Sequence, residues 1–469
     1  MVQMQQENLS YDPVHGYISF TANVGVGELS ERQIIDHPWV QRLRQIHQLQ
    51  TAWWVFPSAE HTRFQHVLGV MHLASRVVSQ LYDSLKESCR QRGEPLPSRG
   101  YVESLLRMAG LLHDVGHGPF GHFFDEHFLS RYQLTHETLG AEIIRSELGP
   151  LLRRVRRNPN SELAEGEELD PDQIAWVICR PRPDDERDQY PWWLGMVRSL
   201  LSGIYTIDNL DFVLRDAYMS GYSQQSYDLQ RLLHYSFFTE HGLTIHDRGI
   251  ESLLRFMSAR AELFRTIYFH RTVRAIDLTL ADLFAESHNY LFPGSPLEHL
   301  DNYRDFTESS LLVDVARWPR SDDPQQRALG ERWRRLLRRD IDWQMVCQRS
   351  LVFDEQASES SSVFAQADWV EQAVRKEMPD TLKDIALRVD VARHIYRPNT
   401  TGPARRQNYL YDSARDEVRP LSDNELFRHL PLSHRICRVY AESAEVAPAV
   451  AEAMDRLLGR HAVDDLTNM

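Results

Sequence analysis

The feature that most constrains the fold is a helical spacing of apolar residues that recurs through the first two thirds of the chain. Apolar side chains repeat every three or four residues over 67–85, 101–117 and 136–148, which is the periodicity of amphipathic helices. The pattern continues over 252–287, a stretch without proline or glycine that predicts one or two long helices. We therefore predict a mainly α fold built around a large helical core.

Polar segments divide this helical pattern. Residues 158–173 and 180–191 are rich in acidic residues, asparagine and proline, which predicts an exposed loop excursion at about 155–195. Another polar segment, 354–362, precedes short aromatic and β-branched runs separated by turn residues, which predicts a small α+β region. We expect residues 1–290 to form the core and 291–469 to form a carboxy-terminal helical and α+β region packed on it.

Composition limits the class of protein. A chain of 469 residues with 42% hydrophobic residues can bury one large core or two smaller ones. Its net charge of -14 disfavours a surface that is basic all over and coats nucleic acid, although local patches leave nucleic-acid binding open.

Cysteine usage and the first residues predict the compartment. The four cysteines form no CxxC pair, which indicates neither a zinc ribbon nor a disulfide framework and favours a reducing environment. The first residues lack the pattern of a signal peptide, and no apolar run reaches the roughly 18 residues of a membrane span. We expect a cytoplasmic protein with no membrane partner.

A histidine-rich segment predicts a metal site. Eight of the 21 histidines lie between His61 and His136. His113 and Asp114 follow an apolar helix, where an imidazole beside a carboxylate is costly to bury without a partner. A divalent cation is the natural partner, and mixed nitrogen and oxygen ligands suit Mn, Fe, Zn or Co better than Mg or Ca. His47, His72 and His127, taken singly, are expected to be ordinary partnered histidines.

The segment after His113 predicts a tight turn. Pro119 lacks an amide hydrogen and three glycines lie close to it in "GHGPFGH", so the helix should end here. The chain can then fold His117 and His122 back over the metal, where imidazoles can hold phosphate and exchange protons near neutral pH.

Further ligands must come from other helices. Upstream, His66 lies at the head of a predicted helix, with Arg63 three residues earlier on a neighbouring face. Downstream, Asp208, Asp211 and Asp216 are spaced so that they can partly share one helix face. Spacing alone does not decide which of the three carboxylates binds metal.

These motifs together resemble a known family. "TRFQH", "HDVGHGPFGHFFD" and "TIDNLDFVLRD" resemble the H…HD…D signature of the HD-domain phosphohydrolases. With "YDPVHGYISF", "QRLRQIHQL" and, more weakly, "LFRHLPLSHRICRVYAES", the chain is similar to the deoxynucleoside triphosphate (dNTP) triphosphohydrolases of that superfamily. The likeness covers most of the chain except about 155–195 and 290–400. It implies an HD-domain helical catalytic core, at residues 1–290, with a smaller carboxy-terminal α+β region.

The resemblance implies a role for each matching residue. The implied metal ligands are His66, His113, Asp114 and Asp208. The implied phosphate-contacting and acid-base set is His117, His122, Asp125 and His136. Phosphates would be held by Arg63 and Arg260, and the sugar would be contacted by Gln48, Leu49, Asp216 and Tyr268, with the Tyr268 ring favouring deoxyribose. A regulatory nucleotide site would involve Asp36, Gln41 and Arg44.

The chain departs from the family pattern at four positions. Asn209 replaces a lysine that often follows the fourth metal ligand, while Phe212 and Phe269 replace a tyrosine and a glutamine near the sugar. Asn8 replaces a lysine of the activator site in the animal enzymes. One phosphate charge and two sugar or base contacts are therefore missing, and nucleotide activation stays open.

Three functional hypotheses follow. The first is hydrolysis of a dNTP to deoxynucleoside and inorganic triphosphate, with a transition metal at the HD site and Mg on the nucleotide. The second keeps the metal and changes the substrate to a nucleoside monophosphate, a signalling nucleotide or single-stranded nucleic acid; Asn209 supports it. The third is a non-catalytic nucleotide-binding module. The resemblance also implies a homo-oligomer, tetrameric or hexameric, with a nucleotide activator as a further partner.

Overall fold

Helices dominate the architecture. The computed structural model describes residues 7–180, 190–353, 366–395, 408–431 and 433–458. In chain order the first nine described helices are α1 (Glu31–Ile35), α2 (Pro38–Gln41), α3 (Arg63–Arg92), α4 (Arg99–Leu112), α5 (His122–His127), α6 (His136–Ile143), α7 (Gly149–Leu152), α8 (Pro171–Ile178) and α9 (Trp192–Arg198). They are followed by α10 (Ile207–Met219), α11 (Leu229–His234), α12 (Ile250–Leu263), α13 (Arg271–Leu291), α14 (Leu300–Asp305), α15 (Glu308–Val315), α16 (Pro324–Leu337), α17 (Ala367–Glu377), α18 (Glu425–Arg428) and α19 (Ala447–Leu458). The prediction of a mainly α fold is confirmed.

The two longest early helices begin where the sequence supplies caps. At the start of α3 the Gln65 side chain accepts a hydrogen bond from the Thr62 amide at 2.7 Å, and Gly93 ends the helix in the left-handed conformation. At the start of α4 the Ser98 hydroxyl accepts from the Tyr101 amide. These helices pack against each other and place His66 near the end of α4.

One predicted loop contains a helix. Within the stretch predicted as an excursion at about 155–195, Pro171–Ile178 form α8. Asp170 caps this helix by accepting from the Asp172 amide, and Pro171 occupies the first helical position, where no amide hydrogen is needed. Apolar residues of α8 are buried in the core, which explains why a segment with polar flanks folds as a helix. Residues 181–189 of the predicted loop lie outside the described residues.

The long pattern over 252–287 forms two helices, as predicted. Helix α12 runs directly into a π-helical turn, Phe264–Tyr268, and α13 then begins after His270, whose side chain accepts from the Thr272 amide. The wider turn interrupts the helix without proline or glycine. Single π-helical turns inside helices are frequent at functional sites. Tyr268 is the last residue of this turn.

Strands form three small sheets. They are β1 (Glu7–Asp12), β2 (Gly16–Thr21), β3 (Ser236–Thr239), β4 (Gly242–His246), β5 (Gln344–Phe353), β6 (Leu387–Ile395), β7 (Asn408–Asp412), β8 (Glu417–Pro420) and β9 (Ser433–Ala441). The amino-terminal hairpin β1–β2 is antiparallel, and a four-stranded sheet has the order β3-β4-β7-β8 with β4 and β7 parallel. A three-stranded sheet has the order β5-β9-β6, and its buried central strand β9 is antiparallel to both neighbours. The predicted small α+β region is confirmed.

Two hydrophobic clusters underlie the fold. The larger extends along the chain from Ile18 to Phe427 and includes Trp318 and Trp333, which lie beyond residue 290. The smaller is formed by the three-stranded sheet with α17 and α19, and contains Val370 and Val450. Packing is thus continuous across residue 290, and the division of the chain at that point stays a prediction. Among the described helices, none combines the length and the apolar character required to cross a bilayer.

The carboxy-terminal sheet packs against the helix that follows Tyr268. Arg274 on α13 forms an ion pair with Asp390 on β6 at 2.6 Å, and the Tyr440 hydroxyl on β9 donates to the Arg271 carbonyl at 2.9 Å. Both contacts lie within the first turn or so of α13. The sheet therefore supports the segment that carries Tyr268.

Candidate metal and phosphate site

Three elements bring four predicted ligands to one point. His66 lies in the first turn of α3, His113 and Asp114 follow the end of α4, and Asp208 lies in the first turn of α10. The Nε2 atom of His66 is 3.3 Å from Nε2 of His113 and 3.1 Å from Oδ1 of Asp208. The Nε2 atom of His113 is 3.3 Å from Oδ1 of Asp114. Residues from three separate parts of the chain thus form one cluster of two nitrogens and two carboxylates, which we call the metal cluster.

The hydrogen bonds behind the two imidazoles show that this cluster fits a cation. Nδ1 of His66 lies 2.8 Å from Oδ2 of Asp211, and Nδ1 of His113 lies 2.8 Å from the Gly110 carbonyl. A carboxylate and a carbonyl only accept, so both Nδ1 atoms carry a hydrogen, and each ring presents a lone pair at Nε2 once that nitrogen has lost its proton. Two lone pairs and two carboxylates at such distances repel one another unless a cation or a proton lies among them. This donor set matches the two-nitrogen, two-oxygen shell expected for a transition metal.

The electrostatics agree with this interpretation. Burial lowers the pKa of His66, but hydrogen bonds with Asp208 and Asp211 outweigh it and raise the pKa to about 10. Burial raises the pKa of Asp114, but the neighbouring His113 and Arg63 outweigh it and hold the pKa well below its usual range. The cluster therefore attracts positive charge strongly.

The three carboxylates of α10 make three different contacts. Asp208 faces the Nε2 side of His66, whereas Asp211 binds the opposite nitrogen of the same ring. Asp216 contacts neither nitrogen of His66. It accepts hydrogen bonds from His61 Nε2 at 2.7 Å and from the Tyr268 hydroxyl. Spacing left this choice open, and Asp208 alone of the three carboxylates lies close to the Nε2 atoms of both His66 and His113, at 3.1 and 3.8 Å.

A second cluster lies directly beside the first. His117, His122 and His136 surround Asp125: His136 Nδ1 is hydrogen-bonded to it, and Nδ1 of His122 lies 3.5 Å away. The rings of His117 and His136 stack with centroids 3.7 Å apart. The side chain of His122 is 56% exposed, so the cluster opens to solvent on that side. The four residues of the predicted acid-base set are thus brought together.

His117 is the buried member of this second cluster. It has no exposed surface, and neither ring nitrogen makes a hydrogen bond to any described residue. Its Nε2 atom lies 3.4 Å from Oδ1 of Asp114, which links the two clusters. Burial, with Arg63 beside it, holds the pKa of His117 well below its ordinary value. A buried imidazole whose two nitrogens make no hydrogen bond within the described part of the chain points to a ligand atom as the partner.

Arg63 joins the clusters on the other side. Its Nη1 atom donates to Oδ2 of Asp114 at 2.7 Å. Gly121 adopts a φ of +57°, and a Cβ atom there would lie 2.2 Å from Nη2 of Arg63. The predicted tight turn therefore needs glycine at this position, both for its backbone conformation and for the close approach of the guanidinium.

The residues predicted around the sugar form a connected chain. The backbone amide of Gln48 donates to the His61 carbonyl at 3.0 Å. The His61 side chain is hydrogen-bonded to Asp216, and Asp216 accepts from the Tyr268 hydroxyl. Leu49, which follows Gln48 in the sequence, is buried. The Gln48 Oε1 atom is also buried and has no hydrogen-bond partner among the described residues. His61, which the sequence analysis did not single out, is the link that holds these residues together.

Arg260 lies on α12 close to the metal cluster. Its Nη1 atom donates to the Ile204 carbonyl at 3.2 Å. Burial lowers the pKa of Arg260 to about 10, against the opposing effect of Asp208. A buried guanidinium suits phosphate binding, because it is weakly hydrated and its planar set of donors matches phosphate oxygens.

The predicted regulatory residues are only partly brought together. Arg44 Nε donates to the Gln41 side chain at 2.8 Å, and the Arg44 guanidinium stacks over Phe64. Asp36 is exposed and pairs with Arg32 at 3.3 Å. Asn8, which replaces the family lysine, lies in β1 of the amino-terminal hairpin.

Two of the three histidines expected to be ordinary have clear structural partners. His47 Nδ1 lies 2.8 Å from the buried Glu308, and the His47 ring stacks on Trp53. His127 packs on Phe123. Burial lowers the pKa of His72 to about 4, with His15 nearby adding to the effect.

Arg42 supports the turn from behind, a role that the sequence analysis missed. Its guanidinium donates to the carbonyls of Val115 and His117, and to those of Tyr303 and Phe306 on the far side. No local sequence signal marks this role, because the partners lie more than 70 residues away.

Comparison with known proteins agrees with this geometry. Residues 63–188 match the HD domain family. The chain is 32% identical to chicken (Gallus gallus) deoxynucleoside triphosphate triphosphohydrolase SAMHD1 over 59% of this chain and 45% of that protein. It is 24% identical to the human (Homo sapiens) protein of the same name over 92% of this chain and 70% of that one. It is also 27% identical to the uncharacterized Bacillus subtilis protein YwfO, over 72% of each.

Among solved structures, a crystal structure of a hypothetical protein from Aquifex aeolicus has the same fold. It superposes with a TM-score of 0.68 at 21% identity and covers 96% of this chain. The chain spans about half of the chicken protein's length. Fold, motif and side-chain geometry agree: the chain carries an HD domain at residues 63–188 and resembles the deoxynucleoside triphosphate triphosphohydrolases.

Proposed function

We propose that the protein is a metal-dependent triphosphohydrolase that splits a dNTP at the α-phosphorus into deoxynucleoside and inorganic triphosphate. The observation that carries the proposal is the shared position of Asp114 between two clusters. One side of Asp114 faces the metal-ligand atoms, and its oxygens also lie 2.7 Å from Arg63 and 3.4 Å from His117. A phosphate placed there contacts the cation site and the phosphate-binding side chains at once.

His66, His113, Asp114 and Asp208 would hold the metal, which we propose to be Mn, Fe, Zn or Co. When bound, such a metal supplies a nucleophile near neutral pH by lowering the pKa of water from about 15.7 toward about 7. The fixed tautomers of His66 and His113 keep their Nε2 lone pairs aimed at the site, so the ligands do not have to reorganise during binding.

Arg63, Arg260 and His117 would bind the phosphates. Each is buried, so the charge or hydrogen bond it offers to an entering phosphate acts in a medium of low dielectric constant. Mg on the nucleotide would neutralise further charge. The unsatisfied nitrogens of His117 would gain the partner that the protein itself does not provide.

His122 would protonate the departing 5′ oxygen. It is the exposed ring of the second cluster, and it lies beside Asp125 on the side from which a nucleotide can enter. His136 is tied to Asp125 and stacked on His117, which suits a fixed phosphate contact better than a mobile proton donor. Asp125 would orient both rings.

The sugar would lie against Gln48, Leu49, Asp216 and Tyr268. Because Tyr268 is fixed by Asp216, and Asp216 by His61, the Tyr268 ring cannot easily move away from a 2′ hydroxyl. This rigid contact supports a preference for deoxyribose over ribose.

The test is a substrate panel. Purified protein is loaded with Mn²⁺ and incubated with each dNTP and each ribonucleoside triphosphate, and the products are separated by anion-exchange chromatography. The proposal predicts equimolar deoxynucleoside and triphosphate from at least one dNTP and much slower turnover of the ribonucleotides. Release of pyrophosphate with monophosphate, or of phosphate alone, would refute the proposed bond.

A second candidate keeps the site and changes the substrate to a nucleoside monophosphate, a signalling nucleotide or single-stranded nucleic acid. The observation that favours it is Asn209, which stands half-buried next to Asp208 where the dNTP-cleaving relatives often carry a lysine. Fewer cations mean weaker binding of a triphosphate. Including these compounds in the same panel separates the two candidates.

Assembly is part of the proposal. A homo-oligomer, tetrameric or hexameric, with a nucleotide activator near Asp36, Gln41 and Arg44 is supported by the resemblance to the dNTP triphosphohydrolases. Light scattering with and without guanosine triphosphate tests it: the proposal predicts a larger species on addition of nucleotide, and an unchanged monomer contradicts it.

A further inference from the structure

A buried carboxylate behind the metal site has all its accepting positions occupied. Asp211 has no exposed side-chain surface. One oxygen, Oδ2, lies 2.8 Å from His66 Nδ1 and 2.8 Å from Arg215 Nε. The other, Oδ1, lies 2.6 Å from His15 Nε2 and 2.9 Å from Arg215 Nη2. A carboxylate offers about four acceptor positions, so this one is saturated and its orientation is fixed.

Two of the residues that fix Asp211 depend on the amino-terminal hairpin. His15 lies in the turn between β1 and β2, and its side chain is buried. Asp12, the last residue of β1, accepts from Arg215 Nη1 at 2.7 Å through Oδ2. Through Oδ1, Asp12 accepts from the amides of Val14 and His15, both at 2.9 Å. Asp12 thus shapes the turn that presents His15 and also binds Arg215. The four residues Asp12, His15, Asp211 and Arg215 therefore form a closed circuit of hydrogen bonds.

The helix that carries His66 is shaped to admit this circuit. Gly69 lies three residues after His66 in α3, and a Cβ atom at Gly69 would be 2.0 Å from Asp211 Oδ1 and 2.4 Å from Arg215 Nη2. Glycine inside a helix costs up to about 1 kcal/mol relative to alanine. The close approach of Asp211 and Arg215 is the structural reason why glycine is required there.

We propose that the amino-terminal hairpin is a positioning element of the metal site, in which Asp12 and His15 hold Asp211, and Asp211 holds the ring of the ligand His66. The inference rests on the metal site of the proposed function. Asp211, His15 and Asp12 touch neither metal nor substrate, so they are positioning residues. Their effect reaches the metal only through the orientation and basicity of His66.

The physical consequence is a change in metal affinity. A carboxylate that accepts from the rear nitrogen of a ligating histidine fixes its tautomer and makes the facing nitrogen a stronger donor, and loss of such a partner costs about 10- to 100-fold in metal affinity. His15 acts one step further back. Without its hydrogen bond, Asp211 loses one of its four anchors and can rotate away from His66.

The experiment compares two substitutions at His15. His15→Leu removes the hydrogen-bond donor and fills the space with an apolar side chain. His15→Gln places an amide NH₂ near the former position of the imidazole Nε2. Mn²⁺ affinity is measured by competition with a chromophoric chelator, in parallel with thermal unfolding in EDTA. We expect His15→Leu to bind Mn²⁺ about 10-fold or more weakly, and His15→Gln to recover most of the affinity.

A matched control comes from the other strand of the hairpin. The Thr21 hydroxyl accepts from the Glu31 amide at 2.8 Å, so Thr21→Val loosens the same hairpin at a point without contact to Asp211. This variant should lower the unfolding temperature and leave Mn²⁺ affinity within about twofold of wild type. Gly69→Ala gives an independent check: helix propensity alone predicts no harm, whereas the proposal predicts weakened Mn²⁺ binding.

The outcomes separate this inference from the proposed function. Equal loss of affinity in His15→Leu and His15→Gln, unchanged affinity in both, or equal loss in Thr21→Val would overturn the positioning role while leaving the metal site intact. Wild-type protein that takes up no Mn²⁺ would instead overturn the metal site itself, and the positioning role with it.

Discussion

The two histidine clusters on either side of Asp114 are built in opposite ways. In the metal cluster, the rings of His66 and His113 are each tied from behind, and their free nitrogens point at one another and at carboxylates. In the second cluster, the rings of His117 and His136 stack, and the single carboxylate Asp125 is surrounded by imidazoles.

This difference indicates what each cluster can hold. A ring fixed at its rear nitrogen with a lone pair in front suits a cation, which needs fixed donors. Imidazoles that share one carboxylate can hold a phosphate oxygen or pass a proton, because several protonation states lie close in energy. Burial raises the pKa of Asp125, but His117, His122 and His136 outweigh it and lower the pKa, so Asp125 remains charged as their common anchor.

The largest expected effect comes from removing a ligand of the metal cluster. Asp208→Ala should leave purified protein with much less tightly bound transition metal and abolish turnover, because it removes one of the four proposed ligand side chains and leaves the metal a single carboxylate. Metal content by mass spectrometry and the chromatographic assay give the two readouts. Asp83→Ala, which removes an exposed carboxylate from α3, is the control and should change neither. Full activity in Asp208→Ala would refute the ligand assignment.

The next effect comes from the second cluster and should separate metal from turnover. Asp125→Asn leaves the metal ligands untouched and removes the charge that orients His122 and His136. We expect wild-type metal content with a kcat about 10²- to 10⁴-fold lower, the usual range for lost acid-base catalysis. If metal content fell as far as turnover, the two clusters would not have separate roles.

A smaller effect should follow from restoring the family lysine. Asn209→Lys adds a cation next to Asp208, at the amino-terminal turn of α10. A hydrogen bond to a charged group contributes about 1.5–3 kcal/mol, so KM for the preferred dNTP should fall about tenfold or more with kcat little changed. Asn209→Gln is the uncharged control. A higher KM in the lysine variant would favour a substrate with fewer phosphates.

The smallest expected effect concerns two buried histidines outside both clusters and is a change in stability with pH. His394 and His434 face each other on β6 and β9, and burial, with nearby arginines, lowers their pKa values to about 3 and about 4. Because the unfolded chain binds protons near pH 6.5 and the folded chain does not, stability should fall as pH drops from about 6.5 toward 4.

At pH 5 the loss should be about 1–2 kcal/mol for each histidine relative to pH 7. Urea unfolding at the two pH values measures it. His434→Gln should reduce the pH-dependent part of the loss, and an unchanged pH dependence would show that this histidine titrates alike in both states.

Much of the fold could be predicted because it depends on local pattern. Apolar periodicity predicted α3, α4 and α6, and caps such as Ser98 and Thr135 lie where those helices begin. Helix α8 escaped prediction because its buried residues are few and lie between polar flanks. The π-turn that presents Tyr268 escaped because no proline or glycine marks it.

The site was predictable in its residue types and less so in its connections. His113 and Asp114 reveal themselves by polarity next to an apolar helix. The choice of Asp208 over Asp211 depends on which side of His66 each faces, a matter of helix packing that spacing does not determine. The contact between His15 and Asp211 joins residues 196 positions apart, and no local pattern predicts it.

The central claim, attack by water at the α-phosphorus, is tested most directly by hydrolysis of the preferred dNTP in ¹⁸O-labelled water with mass analysis of both products. The account predicts one ¹⁸O atom in the inorganic triphosphate and none in the deoxynucleoside. Label in the deoxynucleoside, or label in pyrophosphate or free phosphate in place of triphosphate, would contradict it.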